Sequence, residues 1–245
     1  VTNGCSFTYG DGLDSPQEHS WPAQLAKKLG VDVVNLGRSG SGNDMIFRRT
    51  YEYFYEDLIN QNNPLYIIMF SSITRKEKWN EKEQHYVTIN PSSRTDPASI
   101  DYIDNLNILQ LAKQSMHYKS SIKNLFLAHQ IPYLFSTSIP IDNLYHNYRI
   151  GEQRSLNKDI EQQLPTYVKT LNDDVYDIGK IVGHFSFNEL PKTKCNHWTV
   201  EGNNKVANFF YETIFNKFKD IVIEPTKNYL TVADYKTKLK EPQYK

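Results

Sequence analysis

The chain has only two cysteines among 245 residues, no surplus of either charge, and no apolar run of membrane-spanning length. Two cysteines exclude a disulfide framework and favour an intracellular setting, so a cytoplasmic location is expected. Lys+Arg and Asp+Glu balance at 28 each, which leaves no electrostatic footprint for non-specific nucleic-acid binding. No stretch approaches the about 20 apolar residues of a membrane helix, and the first residues lack a secretory hydrophobic region. Neither nucleic acid nor membrane is therefore expected as a partner. Several chemistries are missing as well. The seven histidines include no HExxH pair, and Cys195 with His197 lacks further ligands at zinc spacing. No metal or organic cofactor is expected. There is no G-x-S-x-G elbow and no Walker lysine.

What is present is enough apolar residue, 39%, for one full-sized core. Thr2–Cys5 reads as the end of a first strand. Ser20 is placed to cap a helix with Pro22 in its first turn, and Trp21, Leu25 and Leu29 repeat at helical spacing until Gly30. The β-branched run 31–36 suits a strand buried on both faces. Ser41 and Asp44 have capping-box spacing ahead of a helix through Ile46, Tyr51, Phe54 and Leu58. Further strands are expected at 65–70, 132–138 and 175–178. Helices are expected within 100–129, broken once, and after Thr199, where Ala207, Phe210, Ile214 and Phe218 share a face. The polar stretch 76–100 reads as a long loop or insertion. One domain over 1–220, followed by a tail over 221–245, accounts for the chain. Alternating strands and helices imply a mostly parallel, five-stranded α/β sheet with helices on both faces. Sites in such sheets form at the carboxyl ends of the strands. Ser6, the turn Gly37–Gly42 and Ser71–Arg75 all fall there.

Two blocks carry the chemistry. Gly4-Cys5-Ser6-Phe7-Thr8 places a serine just past the first strand, and Cys195-Asn196-His197-Trp198-Thr199 places a histidine just before the last helix. A serine nucleophile needs a base that the fold brings to it. Between them, Gly37-Arg38-Ser39-Gly40-Ser41-Gly42 can offer backbone N–H groups to a developing oxyanion. The same turn ahead of a helix also suits a phosphate, although it is not G-x-G-x-x-G. Taken alone, Ser6 would be a turn residue and His197 a partner for nearby backbone.

With the opening Gly-Cys-Ser-Phe-Thr-Tyr-Gly-Asp, Gly4 to Asp11, the chain resembles the SGNH/GDSL hydrolase superfamily, above all its phage and marine bacterial members. The resemblance implies a flavodoxin-like three-layer α/β/α sandwich and a serine esterase. It assigns the nucleophile to Ser6, an oxyanion N–H to Gly40, the base to His197 and the glycine after it to Gly202. It implies a small-molecule or carbohydrate ester as substrate.

Two departures stand out. The family's third block supplies an asparagine to the oxyanion. The strand end here reads Phe70-Ser71-Ser72-Ile73-Thr74-Arg75, so Ser72, Thr74 or Asn43 is the candidate replacement and Arg75 a candidate pocket residue. The family's aspartate before the histidine is absent too, with Lys194 and Cys195 in its place. Losing an oxyanion donor costs roughly 10²–10³ in rate, and losing the orienting acid about 10⁴. A degenerate fold member that binds a glycan or a protein without turnover is the competing expectation.

Overall fold

The computed structural model describes residues 1–60, 64–89, 100–102, 105–138, 175–177, 193 and 197–218. Its elements are β1 Thr2–Asn3, α1 Ser6–Tyr9, α2 Pro16–His19, α3 Trp21–Leu29, α4 Asn43–Asn60, β2 Tyr66–Phe70, β3 Lys76–Asn80, β4 His85–Ile89, α5 Ile108–Ala128, β5 Tyr133–Thr137, β6 Val175–Asp177 and α6 Val200–Phe218. Cys195, the tail over 221–245 and the far half of the 76–100 insertion lie outside the described residues.

β2 sets the layering. All five of its residues are buried, and successive side chains of a strand enter opposite faces. Ile67 and Met69 join Trp21, Leu25, Val206, Phe210 and Ile214, which places α3 and α6 on one face. Tyr66, Ile68 and Phe70 join Ile46, Phe54, Ile122 and Phe126, which places α4 and α5 on the other. The result is an α/β/α arrangement around a parallel sheet of order β1-β2-β5-β6.

Among the described residues this sheet has four strands, and the expected strand at 31–36 is present only as a bridge. The segment 31–36 is attached by a single parallel bridge, Thr2 to Asn35, flanked by Thr2 N–H to the Val34 carbonyl (2.8 Å) and Leu36 N–H to the Thr2 carbonyl (2.7 Å). β1 is only two residues long, so little ladder exists to hold a partner. Residues 31–35 stay partly exposed at this edge.

The insertion is also not a loop throughout. β3 and β4 form an antiparallel hairpin, with Lys76 opposite Ile89 and Asn80 opposite His85. Trp79 packs on Tyr86 at 5.0 Å between ring centroids. The Asn80 side chain accepts from the Lys82 and Glu83 amides, and Gln84 takes the left-handed conformation (φ 51°) that closes the turn. Arg48 of α4 pins the hairpin. It grips Glu77 with two bonds of 2.9 Å and lies 4.2 Å over the Tyr86 ring.

α3 has the expected bounds: Ser20 precedes it with extended backbone but makes no side-chain capping bond, and Gly30 leaves at φ 67° with its N–H on the Ala26 carbonyl. α4 is not capped as expected. Ser41 Oγ donates to the Arg38 carbonyl, while Asp44 accepts from the amides of Met45 and Glu77, each at 2.8 Å. Among the described residues no helix is long and apolar enough to cross a membrane.

Candidate active site

The first block leaves the sheet through buried asparagine chemistry. Asn3 accepts from the Gly4 amide and donates to the Ile46 carbonyl and the Thr50 hydroxyl, each at 2.8 Å. Gly4 is required there, because a Cβ would collide with the Thr8 hydroxyl and approach the Met69 carbonyl to 2.9 Å. Cys5, in extended conformation, precedes α1, and Ser6 opens it. Its carbonyl collects the amides of Gly10 (2.9 Å) and Asp11 (3.0 Å), and Gly10 at φ 95° turns the chain back over the serine.

Ser6 is 2% exposed, and its Oγ makes no hydrogen bond among the described residues. Such a hydroxyl costs stability, so its retention needs a reason. Cys5 is buried in the α3/α6 core as expected, with Sγ 3.2 Å from Ser138 Oγ.

The second block is held by a different buried asparagine. Asn203 in the first turns of α6 donates to the carbonyls of Trp198 (3.1 Å) and Thr199 (3.0 Å), and its oxygen accepts from the Trp21 amide at 2.9 Å. The start of α6 is thereby tied to the start of α3. His197 exchanges hydrogen bonds with the Thr193 hydroxyl through its amide (3.1 Å) and carbonyl (3.2 Å). Its ring packs on Phe7 at 5.0 Å, and Trp198 packs on the same phenyl at 4.6 Å. The histidine block therefore sits on the residue that follows Ser6.

The glycine-rich turn closes the third side. Arg38 N–H donates to the Gly4 carbonyl at 3.1 Å, and Ser39 Oγ donates to Asp11 Oδ2. Gly40 has φ 78° and faces Thr88 of β4, which lies 3.5 Å from the place of a Cβ. The hairpin thus borders the proposed oxyanion turn. Asp44 already accepts the Met45 amide in the first turn of α4, and a carboxylate there opposes the phosphate reading of this turn.

The remaining candidates line the end of β2. Asn43 is buried, but its amide donates to the Ser71 carbonyl (3.1 Å) and Ser115 Oγ (3.2 Å), and its oxygen accepts from the Ser71 amide (2.8 Å). Both of its N–H groups are thus engaged, one with the residue after β2 and one with α5. The Ser72 and Thr74 hydroxyls are buried and bonded to each other at 2.8 Å. Arg75 is half-buried and reaches back to Ser71 Oγ at 3.2 Å.

Sequence reasoning left one residue of the opening motif without a role. Asp11 Oδ2 lies 4.0 Å from His197 Nε2, with both side chains about one-fifth exposed. Neither it nor its partner Ser39 stands near the histidine in the chain. Asn3 and Asn203 were likewise unassigned, since a buried asparagine strap has no local signature.

A structure of a protein assigned to the G-D-S-L lipolytic family, from Desulfitobacterium hafniense DCB-2, has the same fold. The TM-score is 0.50 at 16% identity, over 86% of this chain and 97% of that one. An acetyl xylan esterase, Est2A, from the rumen bacterium Butyrivibrio proteoclasticus matches with a TM-score of 0.43 and 13% identity, over 90% of this chain and 64% of that one. No curated protein matches the sequence. The model of a family of unknown function, DUF6071, matches residues 10–142, more than half of the sequence, and the chain belongs to that family.

Proposed function

We propose that the protein is a serine ester hydrolase of the SGNH type. Ser6 Oγ attacks the ester carbonyl and passes its proton to His197. The amides of Ser6 and Gly40 hold the oxyanion, with the Ser72 and Thr74 hydroxyls at the neighbouring strand end. His197 returns the proton to the leaving alcohol, and water, activated by the same imidazole, releases the acid from Ser6. The substrate is a short acyl ester, an O-acetyl group on a carbohydrate being the preferred form. No metal or organic cofactor enters the scheme.

The observation that supports this reading most strongly is the buried Ser6 hydroxyl without a hydrogen-bond partner among the described residues, at a turn on which the His197 block packs through Phe7. Buried hydroxyls are ordinarily bonded. Thr8 Oγ1, two residues on in the same turn, is also buried and unbonded among the described residues, so the weight falls on Ser6 because of its place beside the His197 block. Catalytic hydrogen bonds are often open before substrate arrives, so an unmade Ser6–His197 bond is compatible with the scheme.

A p-nitrophenyl acetate assay tests the proposal. Ser6→Ala is expected to lose at least about 10²-fold in kcat/KM, and His197→Ala about 10²–10⁴-fold. Equal rates for wild type and Ser6→Ala would remove Ser6 from the mechanism. The same unmade bond also favours a second reading, a binding module without turnover, which predicts no hydrolysis by either protein.

A further inference from the structure

We infer that Asp11 is the carboxylate that positions His197 and stabilises its protonated form, replacing the acid missing at Lys194 and Cys195. The inference rests on the esterase reading of Ser6 and His197. Three observations carry it. Asp11 Oδ2 faces His197 Nε2 at 4.0 Å, within the range where an opposite charge favours the imidazolium. The carboxylate is itself fixed, because Ser39 Oγ donates to the same oxygen and the Asp11 amide is bonded to the Ser6 carbonyl at 3.0 Å. His197 is restrained as well, with its ring packed on Phe7 and its backbone bonded to Thr193. Asp11 is thus anchored to the backbone of the nucleophile while it faces the base.

The proton balance is simple. When Ser6 Oγ forms its bond to the acyl carbon, its proton moves to His197 Nδ1, because Nε2 is the nitrogen that faces Asp11. A positive ring then stands beside a negative carboxylate, and the pair tightens from 4.0 Å toward a charged hydrogen bond. When His197 gives the proton to the departing alkoxide, the pair relaxes. Asp11 takes up no proton and touches no reacting atom. The glycine-rich turn then has two duties: Gly40 serves the oxyanion, and Ser39, beside it, restrains the acid.

The test is an NMR titration of the His197 ring in the full chain, with His197→Gln to assign the resonance. Asp11→Asn is expected to lower the titration midpoint by about one pH unit, at the small end of the range for opposite charges, because the pair is partly solvated. Asp11→Glu, which keeps the charge, should restore most of the shift. Ser39→Ala should lower the midpoint by less than Asp11→Asn. An unchanged midpoint in folded Asp11→Asn overturns the inference. If that variant does not fold, an unchanged midpoint in Ser39→Ala does so. Esterase assays of the same proteins separate the two proposals. A midpoint shift without any hydrolysis by wild type keeps the carboxylate–imidazole pair and discards the esterase. Hydrolysis with no midpoint shift keeps the esterase and discards Asp11.

Discussion

On the proposed mechanism, Ser6 sits where folding and chemistry want different side chains. A buried hydroxyl without a partner costs the folded state about 1–3 kcal/mol relative to an apolar group of similar shape. Ser6→Ala is therefore expected to stabilise the protein by about 1 kcal/mol, raising Tm by about 2–4 °C for a chain of this size. An unchanged or lower Tm in a calorimetric scan would mean that Ser6 serves the fold. Ser6 and His197 could be singled out in the sequence because each stands inside a short motif whose spacing has chemical meaning; the assays above decide their roles. Asp11 belongs to the same opening motif, yet its role was not legible, since only the fold places it beside His197. Asn43 shows the reverse: its position suggested an oxyanion donor, and its two N–H groups are spent on Ser71 and Ser115.

At the scale of elements, the periodic helices were the easiest to read. α3 runs between Ser20 and Gly30, because Trp21 and Leu25 mark a buried stripe, Pro22 suits its first turn and Gly30 ends it. The β3–β4 hairpin was missed for a physical reason. It stands apart from the main sheet, so most of its residues stay exposed or half-buried, and its turn uses Gln84 in place of a glycine or asparagine. Its attachment to α4 runs through Arg48 and Asp44. Burial holds the Asp44 carboxyl above its ordinary range, against the opposing pull of the Glu77 and Met45 amides. The folded state thus keeps this proton at a pH where the unfolded chain has lost it. Ionising Asp44 penalises the fold above its folded pKa, and the penalty is relieved as pH falls toward the ordinary carboxylate range. Urea unfolding at pH 7 and pH 4.5 should show wild type gaining on Asp44→Asn as the pH drops; a gap independent of pH would contradict this. The strap from α6 to α3 makes a second prediction. Asn203→Ala leaves the Trp21 amide and the Trp198 carbonyl without their partner, at a cost of about 2–3 kcal/mol by urea unfolding. It should also lower esterase activity, because His197 precedes the strapped turn. A loss of stability with full activity would detach the strap from the site.

Across the whole molecule, the arrangement brings residues near the start of the chain against the last described helix. Cys5 and Phe7 share one core with Trp198, Phe210 and Ile214, on the α3/α6 face of the sheet. The alternation of strands and helices made this layering legible. The sheet edge was not, since a two-residue β1 leaves the segment 31–36 only one bridge, and no local pattern reports the length of a neighbour. The central claim is that this packing delivers an imidazole to a buried, reactive serine. Labelling with a fluorophosphonate probe, read by peptide mass spectrometry, tests it most directly. The account predicts one adduct per chain on the peptide holding Ser6, absent from Ser6→Ala and slowed at least about 10²-fold in His197→Ala. A folded wild-type protein that takes no label, or that is labelled equally well without His197, would contradict it.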